Sequence, residues 1–244
     1  MMSGSARRLN HLAAQIGARR YLEIGVREGE TFFAVDVPYR VAVDPVFAFD
    51  KAARRTPGVV FHEVGSDAFF AGLDLDQRFD LIFLDGLHRF EQTYRDLTNA
   101  LAHSHDRTVI LIDDTIPSSL YSAQRDFDRI MAERQRLGRA GDGTWHGDVY
   151  KMVLAINDFH PSLDYVTITG DGNPQTVVWR SNARKRQPLL GSMERIDRLD
   201  HFEYQLLQPQ LHQLPEKDAN QYMTSAFTKL GWFAAADGVS LTPR

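Results

Sequence analysis

Tyr21-Leu22-Glu23-Ile24-Gly25-Val26-Arg27-Glu28-Gly29-Glu30-Thr31 passes from an apolar run of strand length, through a turn with two glycines, into the start of a helical pattern. Strand, glycine turn and helix in that order open an α/β sheet. The alternation extends outward on both sides. An amphipathic helix over 5–17 precedes the stretch, with Leu9, Leu12, Ala13 and Ile16 on one face. Downstream, Tyr39-Arg40-Val41-Ala42-Val43, Val59-Val60-Phe61, Asp80-Leu81-Ile82-Phe83-Leu84 and Thr108-Val109-Ile110-Leu111-Ile112 are β-rich, and most end at an acidic residue. Five such strands with helices between them predict a parallel sheet covered on both faces.

The helix after the fourth strand carries Phe90, Tyr94, Leu97 and Leu101 on one face. After the fifth strand, Ala123, Phe127, Ile130 and Met131 read as a helix, residues 138–147 as a glycine-rich loop, and 148–159 as a second helix with Asp148 as its N-cap. Residues 115–147 are then an insertion at the carboxyl ends of the strands, where open α/β sheets bind ligands, and are expected to form a lid. Tyr165-Val166-Thr167-Ile168-Thr169 and Thr176-Val177-Val178-Trp179, joined by Gly170-Asp171-Gly172-Asn173-Pro174, close the sheet as an antiparallel hairpin. The fold expected is a doubly wound, Rossmann-like, seven-stranded sheet over 1–180, mostly parallel, with a C-terminal helical appendage over 181–244. In that appendage Met193, Ile196, Leu199 and Phe202 share a helical face, Glu194 and Arg198 form an i,i+4 pair, and a short helix covers 225–233. It is expected to act as a cap or as an arm for a homo-oligomer.

Composition narrows the function. The 244 residues are 43% hydrophobic and include no cysteine, so a sizeable core is available while disulfides, thiolate metal sites and cysteine nucleophiles are excluded. A net charge of −4 argues against a nucleic acid partner. The short Arg184-Lys185-Arg186 run reads as a solvated loop. No apolar run approaches the roughly 20 residues of a membrane span, and no signal peptide is visible, which predicts a cytoplasmic protein with no membrane partner.

The strand ends carry the chemistry. Gly25 and Gly29 let backbone approach a ligand at a helix N-terminus. Asp44 ends the second strand about 20 residues on, where an acid accepts hydrogen bonds from ribose hydroxyls. Ser66 and Asp67 after the third strand offer a polar rim for a base. Asp85 follows the fourth strand and Asp113 and Asp114 the fifth, which brings three carboxylates to one edge. Their repulsion is relieved by a hard cation such as Mg²⁺, or these aspartates cap helices and order loops instead. His88, three residues beyond Asp85, is either a proton acceptor or a polar helix-start residue. His146, beside Trp145 in the lid, is a substrate contact or a surface histidine.

These motifs resemble the class I S-adenosylmethionine-dependent methyltransferases. The turn from Glu23 to Gly29 resembles that family's first motif and Asp44 its ribose-binding acid, while the segments ending in Asp85-Gly86 and Asp113-Asp114 resemble its fourth and fifth strands. Within the class, Asp85-Gly86-Leu87-His88 with Asp113-Asp114 is similar to the type 24 domain and to metal-dependent O-methyltransferases of the catechol and macrolide-sugar kinds. The resemblance implies that Glu23 holds the methionine amino group of S-adenosyl-L-methionine. It further implies cofactor contacts at Gly25, Gly29, Thr31, Asp44, Ser66, Asp67 and Asp85, and Mg²⁺ on Asp85, Asp113 and Asp114. Asp114 departs from the asparagine of the catechol enzymes, and His88 stands where their lysine base stands. His88, Asp85 and His146 are the candidate catalytic residues, acting on a small hydroxylated acceptor such as a sugar or phenol. A metal-independent transferase using His146 or His88 alone remains open, as does a non-catalytic S-adenosylmethionine-binding protein. A nicotinamide oxidoreductase would share the sheet but predicts a G-x-G-x-x-G turn that the chain lacks.

Overall fold

The computed structural model describes residues 2–139, 141–170, 172–182 and 185–233. Helix α1 (Gly4–Ile16) starts where the Ser3 hydroxyl accepts from the Ala6 amide and ends at Gly17 in the left-handed region. The chain continues as β1 (Arg20–Ile24), α2 (Glu30–Ala34), β2 (Tyr39–Val43), β3 (Val59–His62), α3 (Ser66–Ala71), β4 (Phe79–Leu84), α4 (Phe90–Ala102) and β5 (Ser104–Ile112). Then follow α5 (Phe127–Arg136), α6 (Lys151–Phe159), β6 (Leu163–Thr169), β7 (Gln175–Arg180), α7 (Met193–Arg198), α8 (His201–Leu207), β8 (Gln213–Pro215) and α9 (Glu216–Lys229). All strands lie in one sheet of order β3-β2-β1-β4-β5-β7-β6-β8. Strands β1 to β5 are parallel, and β7 is antiparallel to both β5 and β6.

The near-continuous apolar strands are explained by two cores, one on each face. Leu22, Ile24, Val41, Val43, Ile82 and Leu84 face α4 and α6, packing with Leu97, Val153 and Ile156. Their alternates Tyr21, Ala42, Leu81 and Phe83 face α1 and α2, packing with Leu9, Leu12, Ile16 and Phe32. The period of two in a strand sends neighbours to opposite faces, so a sheet covered twice has no polar side to spare.

The doubly wound sheet with its terminal hairpin matches the expectation, and the C-terminal segment adds to it. An eighth strand, β8, pairs parallel with β6, and α9 lays Met223 and Phe227, both fully buried, on the hairpin residues Val177 and Trp179. Without α9 one face of that hairpin would be bare, which is why the segment 213–229 is built into the core. The expected helix over 225–233 is the end of this longer one. The single helical face expected across 193–202 is split into α7 and α8, because Asp200 and Glu203 form a capping box that starts a new helix, and Phe202 is left exposed. The Glu194–Arg198 pair forms as expected at 2.7 Å.

Two further local readings change. Asp126 caps α5, so Ala123 lies before the helix rather than in it. Asp148 does not cap α6; its Oδ1 accepts from the Phe90 amide at 2.7 Å and so caps α4, whose own N-cap, Arg89, has no acceptor to offer. Arg186 is not solvated, since its buried guanidinium meets Asp164 at 3.4 Å and donates to the carbonyls of His160 and Leu163. Arg184 of the same run, and Asp171 of the hairpin turn, lie outside the described residues. Among the described residues no helix is long and apolar enough to cross a membrane.

Candidate functional site

The order of strands reverses between β1 and β4, and the ladder continues one residue beyond each strand on the carboxyl side. Gly25 donates to Val43 O, Asp44 to His62 O, Asp85 to Ile24 O and Asp113 to Leu84 O. Four residues from four strands therefore leave the sheet side by side, at the switch point where such sheets bind ligands.

Gly25 has φ 87°, and a Cβ there would stand 1.8 Å from the carbonyl oxygen of Asp85. Only glycine allows the β1 turn and the β4 loop to pass. Asp44 braces that turn from beneath: its Oδ2 accepts from the amides of Val26 and Arg27 at 2.8 and 2.9 Å, and its Oδ1 from Val46. Glu23 is buried and accepts the Tyr21 hydroxyl at 2.5 Å. Burial pushes its carboxyl well above the usual range, and the nearby carboxylates of Asp85, Asp113 and Asp44 add to this against the Tyr21 hydrogen bond.

A cleft of about 900 Å³ opens here, lined among others by Glu23, Gly25, Thr31, Asp44, Ser66, Asp67, Asp85 and His88. Gln92 of α4 also lines it and ties its rim, donating to Ser66 Oγ and Asp67 Oδ1 at 3.1 and 3.0 Å. Sequence reasoning missed Gln92; the signal was its i,i+4 partner Asp96, which it also contacts, on an otherwise apolar-faced helix. Gly29, Asp113, Asp114 and His146 are not among the residues of the cleft wall.

Behind His88 the carboxylates gather differently from expectation. Asp85, His88 and Asp114 offer ligand atoms within 4.8 Å of one another. His88 Nε2 is 3.4 Å from Asp85 Oδ1, and Nδ1 is 3.0 Å from Asp114 Oδ2. Asp113 is not in this group. Consecutive residues leave a strand on opposite sides, and Asp113 Oδ1 is taken by the Asp114 amide and by Asn173. Asp114 itself turns with φ 60°, a conformation that aspartate tolerates better than most side chains.

Charge follows geometry. Burial disfavours the His88 imidazolium, but hydrogen bonds and charge from Asp114 and Asp85 outweigh it and push its pKa up to about 11. Burial raises Asp85 to about 6, partly offset by His88. For Asp114 the contacts to His88, His146 and Asn173 overcome burial and hold the carboxyl low. Asp113, desolvated and facing two other aspartates, is pushed well above the usual range. Repulsion among the three carboxylates is thus offset here by the His88 ring and the Asn173 amide, and it helps raise the carboxyls of Asp85 and Asp113.

Trp145 and Gly147, at the end of the 115–147 segment, pack against this group. Trp145 stacks on His88 at 4.9 Å between centroids, accepts its Nδ1–H at the backbone carbonyl, and sits on the cleft. A Cβ on Gly147, at φ 59°, would meet the His88 carbonyl oxygen at 1.6 Å, so the end of the segment lies directly against the His88 backbone. His146 is neither on the surface nor in the cleft: it is 4% exposed, with Nε2 3.0 Å from Asn173 Oδ1 and 3.8 Å from Asp114 Oδ1.

Residues 22–115 match the family described as a methyltransferase domain. No curated protein matches the chain. Among solved structures, an O-methyltransferase from Bacillus cereus in complex with SAH aligns at TM-score 0.51 and 18% identity, covering 74% of this chain and 83% of that one. An SAH-bound methyltransferase from Podospora anserina aligns at TM-score 0.52 and 17% identity, covering 74% and 80%. At such identities the likeness establishes the fold. Over residues 22–115 the chain is therefore similar to a methyltransferase domain, and it shares the Rossmann-like fold of these solved structures.

Proposed function

We propose that this protein is an S-adenosylmethionine-dependent O-methyltransferase, assisted by a divalent cation such as Mg²⁺, acting on a small hydroxylated acceptor. One observation carries the reading: Asp85 and His88 stand both on the wall of the cleft and, with Asp114, in a convergent set of two carboxylates and an imidazole. The cleft volume of about 900 Å³ falls within the range for small-ligand sites. Its turn joins a glycine with no room for a side chain to an acid at the next strand end.

Carboxylate oxygens suit a hard divalent ion, and Asp85 and Asp114 would hold it, with His88 beside them. The donor supplies a sulfonium methyl, and a cation, when bound, lowers the pKa of a hydroxyl that it holds. Glu23 offers a buried carboxylate to the donor's amino group, and Asp44 offers lone pairs to the ribose hydroxyls. Ser66, Asp67 and Gln92 form the rim for the base. His88 carries a proton while Asp85 and Asp114 both face it; with those carboxylates engaged elsewhere, the contacts that raise its pKa are withdrawn, and it can accept the acceptor's proton. Trp145 over His88 keeps water from that face. Alignment of donor and acceptor is expected to supply most of the rate.

Calorimetry with S-adenosylhomocysteine and with NAD, each with and without Mg²⁺, tests the reading. Binding of S-adenosylhomocysteine but not NAD is expected, with affinity lowered at least about tenfold in Asp44→Ala, since both the ribose acceptor and the brace of the turn are removed. Binding of NAD alone would reject the proposal. Turnover unchanged in EDTA would reject the cation.

A further inference from the structure

Asn173 has no place in the mechanism above, yet it touches Asp114 of that mechanism and the neighbouring Asp113. Because β7 runs antiparallel to β5, with Ile112 paired to Thr176, the chain leaving β5 as Asp113-Asp114-Thr115 lies beside the chain that leads into β7 as Asn173-Pro174-Gln175. The Thr176 hydroxyl donates to the Thr115 hydroxyl at 2.9 Å and joins the two segments.

The Asn173 amide has two protons, and each is used: Nδ2 donates to Asp113 Oδ1 at 2.5 Å and to Asp114 Oδ1 at 2.6 Å. Its Oδ1 can only accept, and it faces His146 Nε2 at 3.0 Å, which sets the amide's orientation. His146 is buried and, among the described residues, its Nδ1 has no hydrogen-bond partner, so the ring's hydrogen bond there is the contact to Asn173. The backbone of Asn173 is held as well, its carbonyl accepting from Arg8 of α1 at 2.5 Å.

The chemistry of the donor matters. Two adjacent carboxylates repel, and a lysine or arginine between them would cancel the negative charge that attracts a cation. A neutral amide holds both and adds no positive charge of its own. It also occupies Oδ1 of Asp114 and leaves Oδ2 toward His88 and Asp85.

We propose that Asn173 is a positioning residue for the cation site of Asp85, His88 and Asp114, and that His146 locks its amide in the working orientation. The proposal rests on the cation reading given above. The test is calorimetric titration of the full-length chain with Mn²⁺ alone, with S-adenosylhomocysteine affinity and thermal unfolding measured in parallel. Asn173→Ala, and Asn173→Leu, which keeps the volume but has no donor, are expected to weaken Mn²⁺ binding about 10- to 100-fold, as loss of outer-shell partners commonly does. S-adenosylhomocysteine affinity should stay within about twofold, because Asn173 does not line the cleft. If the Asn173 variants do not fold, His146→Phe, which frees the amide, should weaken Mn²⁺ at least about threefold. Wild type and a folded Asn173 variant binding Mn²⁺ within about twofold of each other, with only the melting temperature lowered, would overturn the positioning role alone. A wild type that binds no Mn²⁺ would overturn the cation reading and the positioning role together.

Discussion

Gly25 shows how much one residue type decides. A methyl group placed there meets a backbone oxygen, not a side chain that can swing away, and the φ of 87° is strained for any L residue. Gly25→Ala is therefore expected to lose roughly 2–4 kcal/mol of stability in denaturant unfolding and to abolish S-adenosylhomocysteine binding. The glycine and its place after a strand were legible in the sequence, as were Glu23, Asp44 and Asp85. Asp113 stands outside the Asp85, His88 and Asp114 group for a residue-scale reason. Sequence places two adjacent aspartates at a strand end, but which of them turns toward His88 depends on a φ of 60° at Asp114 and on an amide 59 positions further along. The sequence around His146 predicts a substrate contact or a surface residue, since nothing local distinguishes a buried histidine from an exposed one in a glycine-rich loop.

At the scale of elements, caps and clamps come from distant parts of the chain. Asp158, near the end of α6, accepts from the amides of Leu189, Leu190 and Gly191 at 2.8 to 2.9 Å and so ties the connection between β7 and α7 to the helix. Burial raises its carboxyl, but Asn157 and those amides outweigh this and hold it below the usual carboxylate range. With the folded value depressed from about 3.9 in the unfolded chain, its contribution is fully present above that value and is lost as pH falls through the folded one. Asp158→Asn should therefore be less stable than wild type by about 1 kcal/mol at neutral pH, and the gap should close in strong acid. Urea unfolding at the two pH values checks this, and a gap independent of pH would reject it. Helix periodicity found α1, α4 and α6 closely, but the caps of α4 and the break between α7 and α8 depended on partners or on the short Asp200–Glu203 box that apolar spacing does not register.

At the scale of the whole molecule, one face of the sheet is closed by α1 and α9, which come from opposite ends of the described residues. Phe227 of α9 is fully buried edge-on against Trp179 at 5.5 Å, so Phe227→Ala should cost about 3–5 kcal/mol in chemical unfolding, although it lies far from the cleft. A loss under about 1 kcal/mol would show that the C-terminal helix is peripheral after all. Such packing is also what the sequence hid: 213–229 has its own apolar spacing, and nothing local says which sheet face lacks a cover. The sequence by itself determined the alternation of strands and helices, the doubly covered sheet, the strand-end glycine and acids, and the absence of any thiol chemistry. Those follow from periodicity and residue type, which act over a few positions. Tertiary structure alone decided that β8 and α9 complete the sheet, that Trp145 covers His88, and that Asp85, His88 and Asp114 converge while Asp113 turns to Asn173. Those outcomes rest on strand order and on contacts between residues tens of positions apart, which no local pattern encodes.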